Sequence, residues 1–279
     1  LSYGRNLTAS NRKLVLQCYR NGEMKVMEHV KSNPTPPPPR EGGVKQTGLN
    51  PRAKSKIKRS ARMMAHEGKC SFITLTYGKD YPNDATAKTH IDRFFKRIRR
   101  LHGNIPYTWV AERQRRGAIH FHILTSQYIA RKDLHRHWNG VVSAWLYVAG
   151  KEPQEVQPNV VGVQDAGRYM AKYMSKGGHS FEGNMYAISQ AARQLMKPVA
   201  VYSFQVPDDV YGNEIKYIEE AMKAKNVQVL PIETETAIND DGELVSGRLI
   251  GLFIPAAGTS VLDTLLTVVT GLTNIINSS

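Results

Sequence analysis

Apolar and polar residues alternate with a period of two in several short stretches of this chain, and recur every three or four residues in longer stretches between them. Lys13–Arg20 and Glu23–Val30 read as strands, joined at Asn21-Gly22, the dipeptide of a type I′ hairpin. Ser71–Tyr77 alternates and stops at a glycine. Tyr107–Glu112 and Ala118–Leu124 flank a basic, glycine-containing turn, Arg113–Gly117, and predict a second hairpin. Val156–Val163, Val199–Val206 and 226–231 are further strands, and Asp240-Asp241-Gly242 turns another hairpin.

The helical period predicts a basic helix over Pro51–Glu67. A second, over 85–102, has Ile91, Phe94, Phe95, Ile98 and Leu101 on one face. A third, over 131–149, carries Leu134, Trp138, Val141, Val142 and Trp145. Further helices are expected at 165–176, 185–196 and 208–225. Asp165 suits an N-cap and Gly177-Gly178 a stop. The tail, Ser260–Ile276, is apolar at helical spacing, but Asp263 and several threonines interrupt it. At about 17 residues it is marginal for a bilayer, so it is expected to pack or self-associate, giving a homo-oligomer in the second case, and not to enter a membrane.

Charge changes the picture. The formal net charge is +14, which favours a polyanionic partner, nucleic acid or an anionic membrane surface. It is uneven: from Gln205 onward 11 acids face 4 bases, a net of −7, leaving +21 on residues 1–204. The run Pro34–Pro39, with Thr35 inside it, reads as an extended spacer, so the expected segments are 1–45, 46–205 and 206–279. Cys18 and Cys70 form no metal or redox motif, and no signal peptide is visible, so a reducing cytoplasm is the expected compartment. There is no phosphate-binding loop and hence no nucleotide-driven motor.

The candidate chemistry sits in the basic part. His120 and His122, at i and i+2 on one strand, project from the same face. Alone, such a pair is more often two half-buried strand histidines. Across the hairpin turn, however, Glu112 can lie beside them. Two imidazoles and a carboxylate on adjacent strands make a three-ligand site with open positions, suited to Mg²⁺ or Mn²⁺. Downstream, Tyr169 and Tyr173 share a helical face at i and i+4, with Lys172 and Lys176 in the same turns able to hold phosphates. His135 and His137 read as surface or satisfied histidines.

The His-hydrophobic-His strand, His120-Phe121-His122, followed by the Tyr-x-x-x-Tyr helix, resembles the HUH endonuclease superfamily, and within it the two-tyrosine rolling-circle replication initiators of small single-stranded-DNA phages and plasmids. Phe72–Tyr77 resembles that family's first strand motif, and Glu112 stands where its third metal ligand is usual. The resemblance covers roughly residues 70–205. It implies an α+β fold, a central, mainly antiparallel sheet flanked by helices, here with an extra N-terminal hairpin and a C-terminal α/β segment. The strand and helix order is compatible with that fold.

It also implies a divalent metal on His120, His122 and Glu112. The implied reaction is nicking of one DNA strand by Tyr169 or Tyr173, leaving a 5′-phosphotyrosyl enzyme and a free 3′-OH. Lys172 is then a candidate to steady the phosphate or the phenolate. The implied partners are single-stranded DNA at a replication origin and a host helicase, in the cytoplasm of a bacterial host. The alternatives are a relaxase or tyrosine transposase of the same superfamily, and a non-enzymatic single-strand DNA-binding protein with structural histidines. A zinc hydrolase is disfavoured, because it leaves the tyrosine pair unexplained.

Overall fold

The computed structural model describes residues 12–30, 48–163, 165–174, 181, 183–205, 214–233, 237–238, 244–245, 249–255 and 258–277. The proline spacer, Gly177-Gly178, Lys176 and Asp240–Gly242 lie outside them. The first hairpin joins β1 (Arg12–Cys18) to β2 (Met24–Val30) in antiparallel register, Cys18 against Met24. Its turn is not the expected type I′. The Gly22 amide donates to the Tyr19 carbonyl, 3.0 Å, and only Gly22 enters the left-handed region, φ +78°. Asn21 keeps an ordinary φ, so this is the longer hairpin loop that ends on a left-handed glycine.

Residues 39–197 form one compact unit. It contains helix α1 (Pro51–Glu67), β3 (Cys70–Leu75), α2 (Asp84–His102), β4 (Tyr107–Arg113), β5 (Ile119–Thr125) and α3 (Arg131–Val148). It continues with β6 (Asn159–Val163), α4 (Ala166–Met174), β7 (Tyr186–Ile188) and α5 (Gln190–Leu195). The strands form one antiparallel sheet in the order β6-β3-β5-β4-β7.

Strand alternation divides the sheet's side chains between two cores. Ile73, Leu75, Trp109, Phe121 and Ile123 face Ile91, Phe94 and Ile98 of α2 and Leu134, Trp138 and Val142 of α3. Phe72, Val110 and Leu124 face Ile57, Ala61 and Met64 of α1, Met170 of α4 and Ala192 of α5. Helices therefore cover both faces, and the His120–His122 strand lies at the centre. Asn50, Asn83 and Ser189 cap α1, α2 and α5 through their side-chain oxygens.

Two expectations are corrected within this unit. The segment 185–196 is not one helix. Tyr186-Ala187-Ile188 pairs with β4, and Ser189 then starts a six-residue helix. The free edge of β4 offered ladder hydrogen bonds that overrode the weak helical pattern. The strand expected over Val156–Val163 begins at Asn159; Val156 is instead held by the Asn139 amide, which both donates to its carbonyl and accepts from its N–H, each 2.8 Å.

The remaining described elements are β8 (Ala200–Gln205), α6 (Glu214–Ala224), β9 (Leu230–Glu233), β10 (Ala237–Ile238), β11 (Leu244–Val245), β12 (Leu249–Ile254) and α7 (Thr259–Asn277). With β1 and β2 they make a second compact unit, residues 1–38 and 198–279. Its main sheet runs β8-β1-β2-β12-β9, all antiparallel. Ile215, Ile218 and Met222 of α6 and Leu265 and Val269 of α7 bury against Leu14, Leu16, Val26, Leu252 and Ile254.

The three expected segments are thus grouped differently. The N-terminal hairpin is the middle of a sheet completed by the chain's far end, and the strand expected over Val199–Val206 belongs to that sheet as β8. Such pairings span about 180 to 230 residues of sequence, and no local pattern reports them. The apolar tail helix packs on this core, and no described helix is long and apolar enough to cross a membrane. The molecule is α+β, with two five-stranded antiparallel sheets flanked by helices.

Candidate active site

Strand register brings the two histidines and the glutamate together. Glu112 of β4 is the direct partner of His120, and Val110 is that of His122. All four side chains therefore rise from the face covered by α1, α4 and α5. Glu112 Oε2 lies 2.6 Å from His122 Nε2, and the two imidazole centroids are 5.9 Å apart. On the other side, β3 adds two hydroxyls that sequence reasoning did not single out. Thr74 Oγ1 is 3.2 Å from His122 Nδ1, and Thr76 Oγ1 is 2.7 Å from His120 Nε2. Their signal was the two-residue alternation Phe72, Thr74, Thr76, which puts all three on the histidine face.

This bonding fixes the tautomer of a neutral His122. An ionised carboxylate only accepts, so Nε2 carries the proton toward Glu112 and Nδ1 accepts from Thr74. A threonine hydroxyl can also accept, so the ring can move its proton to Nδ1 and open Nε2 with Thr74 still bonded. The donor set of two imidazoles and one carboxylate therefore has the chemistry of a divalent-cation site. As arranged, though, His122 and Glu112 hold each other, and among the described residues no group of three or more metal-ligating side chains stands ready for an ion. Cys70 adds no ligand: burial pushes its thiol up to about 11.

The turn that aims β5 is braced from outside. Arg113 makes a bidentate pair with Asp84, 2.6 and 2.7 Å, and donates to the Gly117 carbonyl. Arg116 reaches the Tyr77 and Gly78 carbonyls, and Tyr81 donates its hydroxyl to the Arg116 carbonyl. Glu112 and His120 are thereby tied to the end of β3 that carries Thr76.

Helix α4 lies over the same face. Asp165 caps it, accepting from the Arg168 amide at 2.8 Å. Tyr169 packs edge-on against Phe72, centroids 4.5 Å apart, and Phe72 stacks at 5.7 Å on His122. One aromatic ring therefore separates the Tyr169 phenol from the imidazole. Lys172 is exposed on α4, and Tyr173 follows Tyr169 by four residues in the same helix; its side chain lies outside the described residues. Lys176 lies beyond the described residues as well. α1 packs beside α4 and exposes Lys56, Lys58 and Arg62 along the way. His135 pairs with Glu155 at 2.8 Å on α3, against the other face of the sheet. Burial, and then Arg97, hold His137 below the usual imidazole range.

Residues 70–178 match a family model of replication-associated proteins, those of the ORF2 type. The matched stretch runs from the first residue of β3 to just past α4 and contains the histidines, Glu112 and both tyrosines. No curated protein and no solved structure matches the chain.

Proposed function

We propose, from the similarity of residues 70–178 to replication-associated proteins, that this chain nicks and rejoins single-stranded DNA at a replication origin, initiating and terminating rolling-circle replication. The observation that carries this reading is the contact chain Tyr169–Phe72–His122–Glu112, which sets a tyrosine of α4 over a histidine–carboxylate face. A phenol titrating near 10 is a poor nucleophile at neutral pH and needs an activated phosphate. His120, His122 and Glu112 would hold a Mg²⁺ or Mn²⁺ ion, which when bound polarises the scissile phosphate. The Tyr169 oxygen, having lost its proton, attacks phosphorus. The bond from phosphorus to the 3′ oxygen breaks, the electron pair leaves on that oxygen, and it takes up a proton to become a free 3′-OH. The 5′ phosphate stays on the tyrosine. Attack by a 3′-OH reverses the step and joins a strand without ATP.

Tyr173, one helical turn on, would cut a second junction while Tyr169 holds the first end, and Lys172 would steady the phosphate from the same helix. Separation of the duplex falls to a host helicase, since the sequence carries no motor motif. A relaxase or transposase would use the same groups. One observation favours a non-enzymatic single-strand binder instead: both ring nitrogens of His122 already have partners.

A denaturing gel decides between them. The protein is incubated with single-stranded DNA of its own replicon, with Mn²⁺ or EDTA, beside Tyr169→Phe, Tyr173→Phe and the double variant. The expected result is a metal-dependent covalent adduct that only the double variant lacks. Loss in one single variant would assign the tyrosines fixed roles. Absence of any adduct on origin DNA with metal present would establish the binding protein.

A further inference from the structure

The histidine–carboxylate face continues to the sheet's edge, and there it opens into a cavity of about 440 Å³. Its walls are Lys56 of α1, Asn184, Tyr186 and Ile188 at β7, and Arg193 and Met196 at α5. The register gives its place relative to the candidate site. Tyr186 pairs with Val110, and Val110 pairs with His122. Tyr186 therefore lies on the row of His122, on the same face and two strands away, which is about 10 Å. Arg59 holds the cavity's two helices together by donating to the Met196 carbonyl at 2.9 Å.

The lining combines two cations, a half-buried phenol ring, an apolar wall and a side-chain amide. A phosphate suits the cations. A base suits the ring, with Met196 and Ile188 beside it, and every nucleobase offers a π-face for stacking. The Asn184 amide has both a donor and an acceptor for a base edge. A peptide added to the free edge of β7 would need only backbone groups and would leave two like charges without a counterpart.

We infer that this cavity binds one nucleotide of the single DNA strand whose neighbouring phosphate reaches the His120–His122–Glu112 face, with the base on Tyr186 and its phosphate between Lys56 and Arg193. The inference rests on the proposed DNA-nicking reading for the class of its ligand. It assigns the cavity the task of setting which phosphate is presented.

The full chain is titrated in EDTA with a fluorescent thymidine homopolymer and with an abasic strand of equal length, following anisotropy. Tyr186→Ala is expected to weaken the homopolymer about tenfold and the abasic strand hardly at all, in line with the ~1–3 kcal/mol of one stacked base. Tyr186→Phe keeps the ring and should bind as wild type. Lys56→Ala and Arg193→Ala should weaken both strands, each lowering the slope of log affinity against log salt by about 0.7. Lys58→Ala, on the same helix but outside the cavity, should do less. Equal losses on both strands for Tyr186→Ala, or none, would overturn the inference, as would a Lys58→Ala effect matching that of Lys56→Ala. The outcome is independent of the adduct assay. A protein with this binding signature and no adduct loses the nuclease reading alone, and one that forms the adduct without the signature loses the cavity alone.

Discussion

His90 and His122 are both almost fully buried, and their surroundings put them to different uses. His122 sits between a carboxylate and a hydroxyl that orient its ring. His90, on α2, has the Tyr77 hydroxyl 3.1 Å from Nδ1 and the Trp145 ring beside it. Burial, and then the Arg93 charge, lower His90 to about 4, while burial raises Tyr77 and keeps its phenol protonated as the donor. The unfolded chain binds this proton at about 6.5, so below that value it holds more protons than the folded one. The contribution of neutral His90 is complete above about 6.5 and is lost as the pH falls toward about 4. Urea unfolding at pH 7.5 and pH 4.5 should therefore show a larger acid loss for wild type than for His90→Phe. A difference on the order of 1–3 kcal/mol is expected, and equal losses would contradict a neutral buried His90. The sequence marked His120 and His122 through their spacing. It could not mark His90, whose meaning comes from a helix–helix contact.

At the scale of elements, the hairpin β4–β5 carries the site, and Gly117 closes it. Its φ of +93° lies in the left-handed region, and a Cβ there would stand 2.8 Å from the Tyr81 hydroxyl. Gly117→Ala should cost about 1–2 kcal/mol from backbone strain alone and pull Tyr81 off the Arg116 carbonyl. The fall in thermal midpoint should be largely independent of salt, because no charge is removed; a marked salt dependence would point to the Arg113–Asp84 pair instead. The pattern-based boundaries hold well for the long elements. α1 spans the expected Pro51–Glu67, and α2, α3 and β5 differ from expectation by one residue at an end. They fail at 185–196, where three residues joined a sheet edge, because strand pairing at an open edge outweighs the preference of so short a helical pattern.

For the whole molecule, charge is the property that the sequence exposes most directly. The +21 of residues 1–204 predicts that affinity for single-stranded DNA drops about tenfold or more between ~50 and ~200 mM salt, since phosphate contacts release counterions. A flat titration would mean that the basic surface does not track a backbone. Local spacing by itself determined the strand that holds His120 and His122, the acid across its turn, the tyrosine helix and the basic helix, because alternation and helical periodicity are written in neighbouring residues. Tertiary structure alone decided what those groups touch. Thr74 and Thr76 reached the imidazoles, Phe72 came to separate Tyr169 from His122, and β7 placed Tyr186 on the histidine row. It alone joined the hairpin of residues 12–30 to strands from 200 onward. Pairing between distant strands depends on which edges are left open once the rest has folded, and that is a property of the assembled sheet and not of any window of sequence.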